Sequence, residues 1–174
     1  MKLYHFTSET HLKEIIKSGY IKLSPSNLER PINERVDKEN MRTVADNDDV
    51  RPVVWLTSTP VIKGDETGVY NIDDAKRKAI DQALADGKIT KEQYEILIES
   101  KTSVRIAVEK TQDMFRWTRW AEENGIESKW FKALKQAAAD YGNFYVCERE
   151  IPVGEFVQVE INGKQADITD FSKI

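Results

Sequence analysis

The chain carries one cysteine, Cys147, and two histidines, His5 and His11. A lone thiol excludes an intramolecular disulfide, and this set is too small for a Cys/His zinc cluster. No apolar run approaches the roughly 18 residues that a membrane span requires, and mean hydropathy is −0.58. Positive charge is not in excess either: 26 Lys and Arg face 30 Asp and Glu, a formal charge of −4. No global field therefore draws the protein to nucleic acid. Also missing are the Gly-x-Gly-x-x-Gly fingerprint, the Walker-type phosphate loop, the Gly-x-Ser-x-Gly elbow and the His-Glu-x-x-His helix. The acidic run Asp46-Asn47-Asp48-Asp49 lacks the glycine and distal glutamate of a calcium loop and reads as solvated. No metal site is singled out, although the abundance of Asp and Glu leaves a carboxylate-bound Mg or Ca site open. The start, Met1 to Thr7, holds no apolar stretch long enough for a signal-peptide core, so a cytoplasmic protein is expected.

What is present suffices for one core. With 174 residues and 40% hydrophobic content, a single domain over residues 1–174 is expected. Leu3 to Phe6 reads as a strand, followed by Ser8 as the N-cap of a helix whose Leu12, Ile15 and Ile16 share a face and which Gly19 ends. Tyr20 to Leu23 reads as a short strand. Ser26 to Arg51 shows no period, which suits a binding loop or lid. Val53 to Thr59, between Pro52 and Pro60, is a buried strand. A helical hairpin follows over Asp73 to Ser100, with Thr90 and Gln93 as a capping box. Thr102 to Val108 alternates as a strand should. Phe115 to Ala121 and Ser128 to Tyr141 read as helices, Phe144 to Glu150 and Phe156 to Ile161 as strands, with a short edge strand after the Asn162-Gly163 turn. This order suits an α+β fold rather than a regular parallel βαβ series.

Three segments carry polar groups that strand alternation sorts by face. Leu3, His5 and Thr7 project together, offering an imidazole and a hydroxyl to a ribose diol. Trp55, Thr57 and Thr59 share a face, an apolar wall beside hydroxyls. Glu148 and Glu150 share one with Phe144 and Val146, their carboxylates about 7 Å apart along the strand. The structural alternatives are a core histidine, hydroxyls that tie down a turn before Pro60, and a solvated strand face. Cys147, in an apolar run, reads as a small buried hydrophobe, and the tryptophans of 115–120 and 129–132 as core at helical spacing.

In their order these segments resemble the ADP-ribosyltransferase fold superfamily. Leu3-Tyr4-His5-Phe6-Thr7 and the helix after it are similar to the His-x-Thr strand and helix of diphtheria-toxin-like transferases, DNA-thymidine ADP-ribosyltransferase toxins and RNA 2′-phosphotransferases. Val54 to Thr59 resembles the Ser-Thr-Ser strand of the arginine-type toxins, and Glu148-Arg149-Glu150 their Glu-x-Glu segment. The resemblance covers about 40% of the chain. It departs from both patterns, since His5 stands where the Ser-Thr-Ser toxins have Arg, while the His-type families carry Tyr in the second motif and usually one Glu in the third.

The resemblance implies a split antiparallel sheet with flanking helices and a helical insertion. It implies NAD as substrate, a protein or nucleic-acid acceptor, no membrane, and a setting among phage or bacterial conflict factors. By the same carry-over, His5 holds the nicotinamide-side ribose with Thr7 assisting, Thr57 and Ser58 shape the nicotinamide pocket with Trp55 packed behind it, Glu150 is the catalytic carboxylate, and Glu148 orients or deprotonates the acceptor. Two alternatives stay open: an inactive nucleotide- or protein-binding module on the same fold, and an RNA 2′-phosphotransferase relative, for which Arg51, Arg105 and Arg149 are the candidate phosphate cations.

Overall fold

A computed structural model describes residues 1–23, 52–62, 74–125 and 141–167. The proposed lid at 26–51 and the helix at 128–141, except its last residue, lie outside them. Among the described residues the chain is mixed α+β with four α-helices, and every strand pair is antiparallel. In chain order the elements are β1 (Lys2–Thr7), α1 (Glu9–Ser18), β2 (Tyr20–Ile21), β3 (Val54–Thr57), α2 (Asp74–Ala85), α3 (Lys91–Ile98) and β4 (Val104–Glu109). There follow β5 (Met114–Arg116), α4 (Trp117–Glu123), β6 (Phe144–Cys147), β7 (Ile151–Pro152), β8 (Phe156–Ile161) and β9 (Lys164–Gln165). Seven strands form one sheet in the order β5-β6-β3-β1-β4-β8-β9, and β2 with β7 forms a second, two-stranded sheet.

Alternation builds two cores on the two faces of the large sheet. Leu3, Val54, Leu56, Val104, Ile106, Val108, Tyr145 and Cys147 point to one face, where Leu12 and Ile15 of α1 and Ile21 and Ile151 of the small sheet close over them. The intervening residues Val53, Trp55, Phe144 and Val146 point to the other face and pack on Trp117, Trp120 and Ala121 of α4. Trp117 is 0% exposed, and its ring lies 5.8 Å from that of Trp55. The helices α2 and α3 share a separate small cluster of Ile80, Ala83 and Ile89. The capping box forms as the sequence predicts, with Thr90 Oγ1 accepting from Gln93 N and Gln93 Oε1 accepting from Thr90 N.

Two boundaries differ from expectation. The segment read as a helix from Phe115 begins as strand β5, paired to β6, and turns helical only at Trp117. Edge pairing to Tyr145, Val146 and Cys147 outweighs the local helical spacing there. The strand expected over Phe144 to Glu150 ends at Cys147. Arg149 explains the break. Its guanidinium forms an ion pair with Asp113, binds both oxygens of Glu155 at 2.9 Å, and donates to the Glu150 carbonyl at 3.1 Å. The chain so pinned leaves the large sheet and re-pairs one residue after Glu150 with β2.

Candidate functional site

The site begins where β1 hands over to α1. Ser8 is fully buried and caps the helix, its Oγ accepting from His11 N at 3.3 Å. Gly19 ends α1 in the left-handed region (φ 87°), its N–H donating to Ile15 O at 2.8 Å, and the chain enters β2 at once. Between the end of β1, α1 and β2 lies a hollow of about 270 Å³, lined in part by His5, Thr7, His11, Tyr20, Lys22 and Lys101, with Glu14 the acidic member.

His5 is held by more than strand alternation. β1 is registered on β3 by the single pair Tyr4 and Thr57, and beyond it the His5 ring reaches across, Nδ1 lying 2.9 Å from the Trp55 carbonyl oxygen. A carbonyl only accepts, so Nδ1 carries the proton and Nε2 presents a lone pair. Burial lowers the His5 pKa below its ordinary value, against the opposing pull of the Trp55 carbonyl, and His11 adds to the lowering. Among the described residues, Nε2 makes no hydrogen bond. The ring is thus a neutral acceptor beside the Thr7 hydroxyl, suited to a hydroxyl donor such as a ribose diol.

His11 and Lys101 also border the hollow, and sequence reasoning assigned neither a role. His11 Nδ1 sits 2.8 Å from Ser8 Oγ and 3.5 Å from Lys101 Nζ. Burial, then Lys101, lowers the His11 pKa, while Glu14 and Glu99 pull it up. Glu99, from the end of α3, accepts from Thr10 N at 3.0 Å. Burial alone raises a carboxyl pKa, but hydrogen bonds from Thr10 and Ser8, with Lys101 nearby, outweigh it and leave Glu99 below its ordinary value. The spacing of the two histidines around a strand-to-helix junction was a readable signal for His11. Lys101 offered none, because it arrives from the α3 to β4 turn, 90 residues along the chain from His11.

The other sequence-predicted residues fall elsewhere. Trp55 and Thr57 lie on the face opposite His5 and Thr7, as the Tyr4 to Thr57 pairing requires. The Trp55 ring packs on Trp117 and, edge-on, on Phe144. Thr57 Oγ1 accepts from Thr59 N at 3.1 Å, and Ser58 N–H donates to Asn143 O at 2.9 Å. These groups tie down the turn before Pro60, the structural alternative for that motif. Glu148 follows the Val146 face, where its Oε1 accepts from the Trp120 indole at 3.0 Å. Glu150 is exposed beyond the bend. It immediately precedes Ile151, the partner of Ile21, and the residue after Ile21, Lys22, lines the hollow. Glu150 therefore does not line the hollow, and only the β2–β7 register relates it to Lys22.

Of the arginines considered for phosphate binding, Arg105 pairs with Glu160 at 2.6 Å and lies over the Tyr4 ring, and Arg149 is committed to Asp113 and Glu155. Arg51 lies outside the described residues. Cys147 is a buried free thiol whose pKa burial raises, the opposite of an activated nucleophile. Among the described residues no group of three or more His, Cys, Asp or Glu is placed to hold a metal ion, and no helix is long and apolar enough to cross a membrane. No family model, no curated protein and no solved structure matches the chain.

Proposed function

We propose that the chain is an NAD-dependent ADP-ribosyltransferase acting on a protein or nucleic-acid acceptor, on a split antiparallel sheet of the ADP-ribosyltransferase type. One observation carries the reading: the first strand delivers a neutral His5, its tautomer set by the Trp55 carbonyl, into a hollow it shares with Thr7. Nε2 accepts from a ribose hydroxyl. Trp55 acts through its backbone, by orienting the imidazole, rather than through its ring. The bond between ribose C1′ and the nicotinamide nitrogen breaks with its electron pair leaving on nicotinamide, and C1′ bonds to the acceptor nucleophile. A carboxylate aligned with the ribose stabilises the oxocarbenium charge that develops. In this reading Glu150 supplies it, and the acceptor's proton passes to a general base.

The reading is tested by incubating the protein with NAD and an extract of acceptors and measuring released nicotinamide. Release that Glu150→Gln abolishes while the fold persists is the expected result. No release and no NAD uptake by the wild type overturns it. A second reading, a module that binds nucleotide without turnover, is favoured by one specific fact: neither Glu148 nor Glu150 lines the hollow. NAD uptake with no nicotinamide release selects it.

A further inference from the structure

The transfer needs a base for the acceptor's proton, and Glu148, to which the resemblance gives that task, accepts from the Trp120 indole on the opposite face of the sheet. Of the imidazoles and carboxylates lining the hollow, His5 is taken by the ribose, which leaves His11 and Glu14. His11 is the one held in place. Its Nδ1 lies 2.8 Å from Ser8 Oγ, which also accepts from the His11 amide at 3.3 Å. Ser8 is fully buried, and its hydroxyl donates to the Glu99 carboxylate, whose Oε2 is buried and, among the described residues, meets no other donor. A hydroxyl gives one proton and accepts through two lone pairs, so Ser8 Oγ accepts from Nδ1–H and the ring's lone pair resides on Nε2. Among the described residues Nε2 makes no hydrogen bond. Glu99 is anchored in turn by the Thr10 amide at 3.0 Å. A chain of hydrogen bonds thus runs from the end of α3 through the α1 cap and fixes the tautomer of a ring that borders the hollow. Lys101 Nζ, 3.5 Å from Nδ1, faces a donor and so acts on the ring by its charge, while donating to the Ile96 carbonyl at 3.4 Å. Burial, then Lys101, keeps the ring neutral at rest, and Glu14 and Glu99 support it once it is charged.

We propose that His11 Nε2 is the general base of the transfer, with Ser8 and Glu99 as its positioning residues. The proposal rests on the transferase reading and deepens it by naming the acceptor class: a nucleophile that must lose a proton to attack, a hydroxyl or a ring N–H rather than a carboxylate. As the acceptor atom bonds to ribose C1′ and nicotinamide leaves with the electron pair of the broken bond, the acceptor's proton moves to Nε2, and the imidazolium then returns it to solvent.

Two measurements on the full chain test it. Heteronuclear NMR of the histidine ring nitrogens should show His11 with its proton on Nδ1, a preference that Ser8→Ala weakens; a wild-type ring protonated on Nε2 overturns the proposal. Nicotinamide release from NAD in the presence of the acceptor extract should fall about 100-fold or more in His11→Ala, while calorimetric uptake of NAD persists and circular dichroism verifies the fold. Added imidazole should restore much of the lost rate, which a merely structural role for His11 does not predict. Release lost in Glu14→Gln but kept in His11→Ala assigns the proton to the carboxylate and overturns the proposal. The two readings fail distinguishably: wild-type release that His11→Ala leaves unchanged overturns this one alone, whereas no release by the wild type removes the transferase reading and this assignment with it.

Discussion

Replacing His5 probes stability and site together. In His5→Leu the donor to the Trp55 carbonyl, 2.9 Å away in the wild type, is removed from a partly buried position. Losing one partner of such a bond costs about 1–3 kcal/mol. His5→Asn places an amide N–H close to where Nδ1–H stood, so its cost should stay below about 1 kcal/mol. With a urea m-value of roughly 2 kcal/mol per molar, the two variants should differ in midpoint by about 0.5–1 M.

Acid adds a second observable. Burial holds the His5 pKa below the ordinary 6.5, so the unfolded chain binds a proton at this site before the folded one does. The neutral ring's stabilisation is complete above pH 6.5 and is lost as pH falls toward the folded value. One such histidine contributes a slope of at most about 1.4 kcal/mol per pH unit. His11, also lowered, contributes in the same direction. Both His5 variants should therefore flatten the wild-type loss of stability below pH 6.5 without abolishing it. Equal midpoints for His5→Leu and wild type, or an unchanged acid slope, would refute the assigned bond and tautomer.

Other perturbations address the frame around the site. Trp117→Ala removes a fully buried ring between Trp55 and the rest of the α4 core, and should cost about 3–5 kcal/mol in chemical denaturation; a loss under 1 kcal/mol contradicts the packing. Arg149→Met frees the bend between β6 and β7. Its side chain is 38% exposed, so solvent screening limits the loss to about 1–2 kcal/mol. Hydrogen exchange at Ile151 and neighbouring amides should rise more than at β4, and uniform exchange would count against the pinning role. Thr90→Ala breaks the capping box and should cost about 1 kcal/mol, confined to the α2 and α3 hairpin in exchange data.

Local chemistry made much of this fold legible. The Ser8 cap, the Gly19 stop, the Thr90 box and the apolar alternation of β4 each follow from a few neighbouring residues. So did the His5 and Thr7 pairing, because it needs only the two-residue period of one strand. The relation between strands did not. Which face of β3 matches which face of β1 depends on register, and the Tyr4 to Thr57 pairing turns Trp55 and Thr57 away from His5. The period from Phe144 to Glu150 concealed the bend at Glu148 and Arg149, because its anchors are Asp113, 36 residues earlier, and Glu155 after it. Lys101 stayed hidden for the same reason: a lone lysine in a turn has no signature until a distant helix supplies its neighbour.

The central claim is that a neutral His5 in this hollow receives the ribose of NAD. Calorimetric titration of NAD into wild type and into His5→Asn, at a pH where both are folded, tests it most directly. Uptake by the wild type that His5→Asn loses, with Trp120→Phe on the opposite face leaving it intact, is the predicted result. Equal uptake by wild type and His5→Asn, or no uptake by the wild type, contradicts it.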